Sequence, residues 1–200
     1  MMNIAVFCSG NGSNFQAIAD SVRRGEIAAK IALMVCDNPK AFALARAKKL
    51  EIKSLLIERK NFKTKEEFEA GVIRNLEKES IELICLAGFM RLISPGFVQR
   101  YRNKILNIHP ALLPAFKGTR SIKDALGYGV KVTGVTVHLV DEKTDHGPII
   151  LQKALEIKEN DTEESLAGRI HEIEHELYPQ AIKLFVEGKL NLAGRRAKIE

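Results

Sequence analysis

Cysteine is scarce in this chain and never paired. The three thiols, Cys8, Cys36 and Cys85, stand singly in or beside apolar runs, so neither a disulfide framework nor a cysteine zinc site is expected. None has a basic neighbour to lower its pKa, which favours reduced core thiols over a nucleophile. Long apolar runs are missing as well. No stretch approaches the roughly 20 apolar residues of a membrane span. The segment from Ile4 to Cys8 is too short for a secretory core and leads straight into a polar glycine loop. A cytoplasmic protein with no membrane partner is expected. Internal repeats, low-complexity segments and linkers are absent, and no aromatic-interleaved basic stripe suggests nucleic acid. The net charge of +6 suits anionic ligands but is scattered among acids, except for the tail Arg195, Arg196 and Lys198. It is expected to be solvated surface charge.

What remains is a globular composition, with 46% hydrophobic and 28% charged residues among 200 and a mean hydropathy of -0.09. That length suits one core and one domain spanning residues 1–200. Apolar β-branched runs at Asn3 to Cys8, Ile31 to Cys36, Leu83 to Ala87 and Ile105 to His109 predict strands. Helical patterns lie between them, at Phe15 to Arg24, Ala41 to Leu50 and Thr64 to Glu79. In the last, Phe68, Val72, Ile73 and Leu76 share one face. Strand and helix in alternation predict an α/β chain with a mostly parallel sheet flanked by helices, since parallel neighbours need a crossover. From Val132 the apolar residues alternate with Thr136 and His138, and a second β-rich run follows from Ile149 to Ile157. These predict an antiparallel extension of the sheet. A long helix begins near Thr162, with Leu166, Ile170, Ile173 and Leu177 as its buried stripe. Pro179 is expected to bend or interrupt it.

Chemistry concentrates in three places. Ser9-Gly10-Asn11-Gly12-Ser13-Asn14 joins the first strand to the first helix, where backbone N–H groups and the helix dipole favour an anion. Its glycines admit a phosphate closely, and Ser13 and Asn14 can donate or cap. Phe15 stands where a dinucleotide fingerprint has its third glycine, Asp37 is followed by the turn-like Asn38-Pro39, and no P-loop lysine is present. A phosphate monoester fits better than a pyrophosphate. The second place is Asn107-Ile108-His109-Pro110, where alternation puts Asn107 and His109 on one face of a strand. The third is Thr144-Asp145-His146-Gly147-Pro148. An amide, an imidazole and a carboxylate at strand ends can move a proton and hold an oxyanion, which points to acyl or formyl transfer.

Taken with Leu86 to Ile93, Glu174-His175 and Tyr178-Pro179, these motifs closely resemble the phosphoribosylglycinamide formyltransferase family over nearly the whole chain. The resemblance implies a Rossmann-like formyltransferase fold and a folate-dependent enzyme of purine biosynthesis. Such an enzyme passes the formyl group of 10-formyltetrahydrofolate, as co-substrate, to the amine of glycinamide ribonucleotide, with no metal. It implies that Asn107 and His109 polarise the formyl carbonyl and hold the tetrahedral oxyanion, while Asp145 orients His109 and helps relay protons. Gly12, Ser13 and Asn14 would bind the substrate phosphate and Glu174 the ribose hydroxyls. Met90, Arg91, Leu92 and Ile93 would form the folate pocket with Asn107, Val140 and Asp141. Lys65, where some relatives carry arginine, would add a basic contact. His146 and the loop Thr119 to Gly129 look variable or mobile and receive no role. The working unit would be a monomer or a homodimer, with no nucleic-acid partner.

Four rivals stand beside this reading, two of which share its formyl-folate chemistry. A 10-formyltetrahydrofolate hydrolase shares the core but carries a further regulatory domain, as methionyl-tRNA formyltransferase carries a C-terminal one. His171-Glu172-Ile173-Glu174-His175 matches the H-E-x-x-H pattern of zinc-dependent hydrolases, in which His171 and His175 would be ligands. A pure binding module would need the glycine loop but not Asn107, His109 and Asp145.

Overall fold

A computed structural model describes residues 1–200. Its first half is βα in rhythm: β1 (Met2–Cys8), α1 (Ser13–Arg23), β2 (Ala29–Cys36), α2 (Phe42–Lys49), β3 (Ser54–Leu56), α3 (Lys65–Lys78), β4 (Leu83–Leu86), α4 (Pro95–Arg100) and β5 (Ile105–His109). The second half holds α5 (Ser121–Tyr128), β6 (Val132–Leu139), β7 (Ile149–Glu156), α6 (Glu163–Val186), β8 (Leu190–Ala193) and β9 (Arg196–Ile199). All nine strands form one sheet in the order β3-β2-β1-β4-β5-β6-β7-β9-β8. The pairs among β1 to β5 are parallel, and β6 and β7 add antiparallel pairs. This is the α/β sheet with an antiparallel extension that the sequence predicts.

The apolar runs of β1 are continuous because both of its faces are covered. Ile4, Val6 and Cys8 join the cluster that packs under α1, α2 and α6. Ala5 and Phe7 join the opposite cluster with Phe68, Val72 and Leu76 of α3 and Phe97 of α4. The chain moves outward from β1 to β2 and β3, then returns to the other side of β1 as β4. The strand order therefore reverses between β1 and β4, and a crevice opens there beyond the carboxyl ends of the strands. No helix is long and apolar enough to cross a membrane.

Several expectations need correction. Helix α6 runs through Pro179 without interruption. Burial of Leu177, Tyr178, Ala181 and Ile182 around the proline outweighs the lost backbone hydrogen bond. The Tyr178 hydroxyl also pins the helix to the carbonyls of Leu86 and Leu106, at 2.9 and 3.0 Å. The segment expected as a loop from Thr119 to Gly129 contains α5, with Ala125 fully buried. The basic tail is not a plain tail, since Arg196 and Lys198 belong to β9 of a C-terminal hairpin. Helix α1 starts at Ser13, so Ser13 and Asn14 lie inside its first turn. Its cap is Gly12 in a left-handed conformation, with no side-chain capping bond. All three cysteines are free and buried. Burial pushes the thiols of Cys8 and Cys85 far up, as inert core groups require.

Candidate active site

Asn107 and His109 share one face of β5 at the end of the parallel sheet. Strand β6 lies antiparallel beside it and sets His138 directly opposite Asn107. The following turn doubles back and delivers Asp145, which adopts a left-handed φ of 46°. Gly147 makes that return possible, because a Cβ there would sit 1.9 Å from the carbonyl oxygen of Leu139. Asp145 and the two strand residues thus meet from segments nearly forty positions apart.

Asp145 Oδ2 accepts the Gly118 N–H at 2.8 Å and lies 3.5 Å from His109 Nδ1. Its Oδ1 lies 3.5 Å from Asn107 Nδ2 and 3.7 Å from His138 Nε2. The Phe116 carbonyl is 2.8 Å from His109 Nε2, and a carbonyl can only accept, so Nε2 carries the hydrogen. That leaves the Nδ1 lone pair facing the carboxylate, where a captured proton would form an ion pair. Burial pulls the His109 pKa below its ordinary value, opposed by the Asp145 charge and the Phe116 carbonyl. For Asp145, burial works upward, but the neighbouring His138, the Gly118 N–H and His109 outweigh it and hold the carboxyl below its usual range. At neutral pH the site therefore pairs a neutral imidazole with an ionised carboxylate.

Beside this cluster lies a cavity of about 370 Å³. Its walls include Lys65, Met90, Arg91, Leu92, Ile93, Val140 and Asp141, together with Asn107, His109 and Asp145. Every residue expected to line a folate pocket is gathered at this one opening. Met90 and Leu92 are 66% and 70% exposed, an apolar rim available to a flat ligand.

Two residues that sequence reasoning left without a role hold this arrangement. His138 Nδ1 donates to the Leu139 carbonyl at 2.8 Å, which directs Nε2 at the site, 3.2 Å from Asn107 Nδ2 and beside the Asp145 carboxylate. The only signal was its alternation with Val137 and Leu139 in β6, which any half-buried strand would show. Asp37, read as part of a turn, is buried and pairs with Arg91. It also accepts the Ser9 hydroxyl at 2.6 Å, and the Met90 N–H donates to that same hydroxyl oxygen at 2.9 Å. The glycine loop and the Met90–Ile93 segment are therefore tied together.

At the glycine loop, Gly12 has a φ of 74°, and a Cβ there would lie 2.8 Å from the Ala43 side chain. Arg46 of α2 brackets the loop, donating to the Asn11 carbonyl and side chain at 3.0 Å each. It places a guanidinium beside the start of α1, and no motif in the sequence marked it. Ser13 opens onto a separate polar groove with Gln16, Arg46 and His175. Asn14 turns inward and donates to Glu174 Oε2 at 2.8 Å, which brings two expected substrate contacts together. His171 Nδ1 bonds the same oxygen at 2.9 Å, and that bond raises the His171 pKa. In the H-E-x-x-H segment it is Glu174, not Glu172, that faces the interior. No group of three metal-ligating side chains gathers there.

Residues 2–182 match the formyl transferase family. The chain is 48% identical over 197 residues to phosphoribosylglycinamide formyltransferase of Bacillus subtilis, covering 98% of this chain and 100% of that protein. It is 42% identical over 196 residues to the human trifunctional purine biosynthetic protein adenosine-3, covering 98% of this chain but 19% of that longer protein. Among solved structures, glycinamide ribonucleotide transformylase 1 of Symbiobacterium toebii superimposes with a TM-score of 0.97 at 43% identity, covering 100% of this chain and 94% of that one.

Proposed function

This chain belongs to the formyl transferase family, and we propose that it transfers the formyl group of 10-formyltetrahydrofolate to the amine of glycinamide ribonucleotide. The products are formylglycinamide ribonucleotide and tetrahydrofolate, a step of purine biosynthesis. The observation that carries this is the convergence of Asn107, His109 and Asp145 on one cavity whose apolar rim and charged edges fit a folate. The folate supplies the formyl carbon, and Met90, Leu92, Ile93 and Val140 would hold its flat ring, with Arg91, Lys65 and Asp141 at polar edges.

The protein's own groups supply charge stabilisation and proton transfer. Asn107 and the N–H of His109 hold the negative charge that develops on the formyl oxygen as the amine attacks. To do so His109 exchanges the Phe116 carbonyl for the substrate oxygen at Nε2. Asp145 stabilises the imidazolium that forms when Nδ1 takes up, through water, the proton lost by the attacking amine. That proton passes to the folate nitrogen as the tetrahedral intermediate collapses and the bond from the formyl carbon to that nitrogen breaks. Gly12, Ser13 and Asn14 receive the substrate phosphate at the N-terminus of α1, where N–H groups lack helical partners. Glu174, already oriented by Asn14, receives the ribose hydroxyls. Residues 1–200 act as one catalytic domain in the cytoplasm, as a monomer or homodimer, without metal, membrane or nucleic acid.

Purified protein mixed with 10-formyltetrahydrofolate, with and without glycinamide ribonucleotide, tests this by the absorbance of the deformylated folate. Release only with the acceptor is the expected result. Release without it would mark a hydrolase, and none in either case would overturn the assignment.

A further inference from the structure

The family match ends at residue 182, whereas the chain continues into the β8–β9 hairpin. Leu190, Leu192 and Ala197 pack that hairpin onto the main core, and β9 joins the sheet at a single pairing, Ile149 with Arg196. Its turn carries Arg195 to the turn that follows β6. There Nη2 donates to the His146 carbonyl at 2.6 Å, and Nη1 lies 3.0 Å from His146 Nε2 and 3.1 Å from Nδ1. Nδ1 is also 2.6 Å from Asp141 Oδ2. A carboxylate can only accept, so Nδ1 donates to Asp141, and Nη1, evenly spaced from both ring nitrogens, lies against the ring rather than on one lone pair. Asp141 Oδ1 also receives the Lys143 N–H at 3.0 Å, closing the turn on itself. His146, expected to be variable or mobile, is instead clamped.

The clamped residue adjoins Asp145, whose left-handed backbone persists only where its surroundings fix it. We infer that Arg195 is a positioning residue and that the C-terminal hairpin is a strap. Through His146 it holds the Asp141–Asp145 turn in the shape that presents Asp145 to His109 and Asp141 to the cavity. This rests on the proposed reaction for its kinetic consequences but not for its structural ones.

The test uses the full chain with Arg195→Ala, Arg195→Lys, His146→Ala and the double variant Arg195→Ala/His146→Ala. Amide hydrogen exchange of residues 141–147 reads the strap directly. Initial rates with each substrate varied read its effect on the site. In Arg195→Ala, exchange at 141–147 should quicken by roughly tenfold, the scale of one charge-assisted bond, with β1 and β4 unaltered. Turnover should fall and the Michaelis constant for the formyl folate rise, each by about three- to tenfold, while that for glycinamide ribonucleotide stays within about twofold. Lysine should restore part of the loss by reaching the carbonyl, and the double variant should lose less than the sum of the two single losses, because the carbonyl contact survives in His146→Ala while the ring contact does not. Unaltered exchange at 141–147, faster exchange spread evenly over the whole chain, or losses that simply add in the double variant would overturn the inference. If the wild-type protein failed to transfer formyl, the proposed function would fall while the exchange data still decided the strap.

Discussion

Replacing Asp145 by asparagine tests the catalytic pairing with the least disturbance of shape. The amide oxygen can still accept the Gly118 N–H now 2.8 Å from Oδ2, so the turn should keep its form. What disappears is a unit of negative charge 3.5 Å from His109 Nδ1. Two unit charges about 4 Å apart interact by about 4 kcal/mol at the effective dielectric of about 20 that suits such sites. Some of that is recovered by rearrangement of Asn107 and His138, which also face this carboxylate. A loss of roughly 10² to 10³ in turnover is therefore expected, equivalent to about 3 to 4 kcal/mol of transition-state stabilisation. The charge also opposes the burial that lowers the His109 pKa, so its removal lowers that pKa further. The limb of the pH–rate profile due to His109 should then move to lower pH by at least about one pH unit. Single-turnover absorbance of the deformylated folate across pH 5 to about 9 measures both effects, and a thermal melt confirms the fold. A variant whose profile superimposes on the wild type would refute the coupling of Asp145 to His109.

Three further outcomes follow from the geometry. His109→Ala should lower turnover by roughly 10² to 10³ with little change in either Michaelis constant, and a variant that kept most of its turnover would remove His109 from the chemistry. Gly12→Val puts side-chain carbon against Ala43 at a left-handed φ of 74°. It should cost about 1 to 3 kcal/mol in chemical denaturation and mainly raise the Michaelis constant for the phosphorylated substrate. An unchanged constant would move the phosphate elsewhere. His171 has a pKa raised by its bond to Glu174, so its contribution to stability is complete below the ordinary value of 6.5 and is lost as pH rises through the raised one. The urea midpoints of wild type and His171→Asn should therefore differ most at acidic pH and converge at alkaline pH; a gap that widened with pH would contradict that ion pair.

The sequence by itself determined the elements whose periodicity is complete within one segment. The strands from β1 to β7, apart from β3, were legible because apolar β-branched residues bury on both faces, or alternate where one face is polar. Helices α1, α2, α3 and α6 were legible from an apolar stripe of the right period. The shared face of Asn107 and His109 follows from the same local rule. The residues of the folate pocket came from resemblance rather than from pattern. Elements too short to establish a period escaped, as with β3, α4 and the C-terminal hairpin, whose strands gain stability only by adding to an existing sheet edge. Pro179 misled because the local cost of a missing donor is visible in sequence, whereas the burial of Tyr178 and Ile182 that outweighs it is not. Only the tertiary structure decided that His138 meets Asn107, that Asp37 pairs with Arg91 while Ser9 ties Asp37 to Met90, and that Arg195 grips His146. In each case a polar group is satisfied by a partner from a distant segment, and hydrogen bonds of that kind leave no periodicity along the chain.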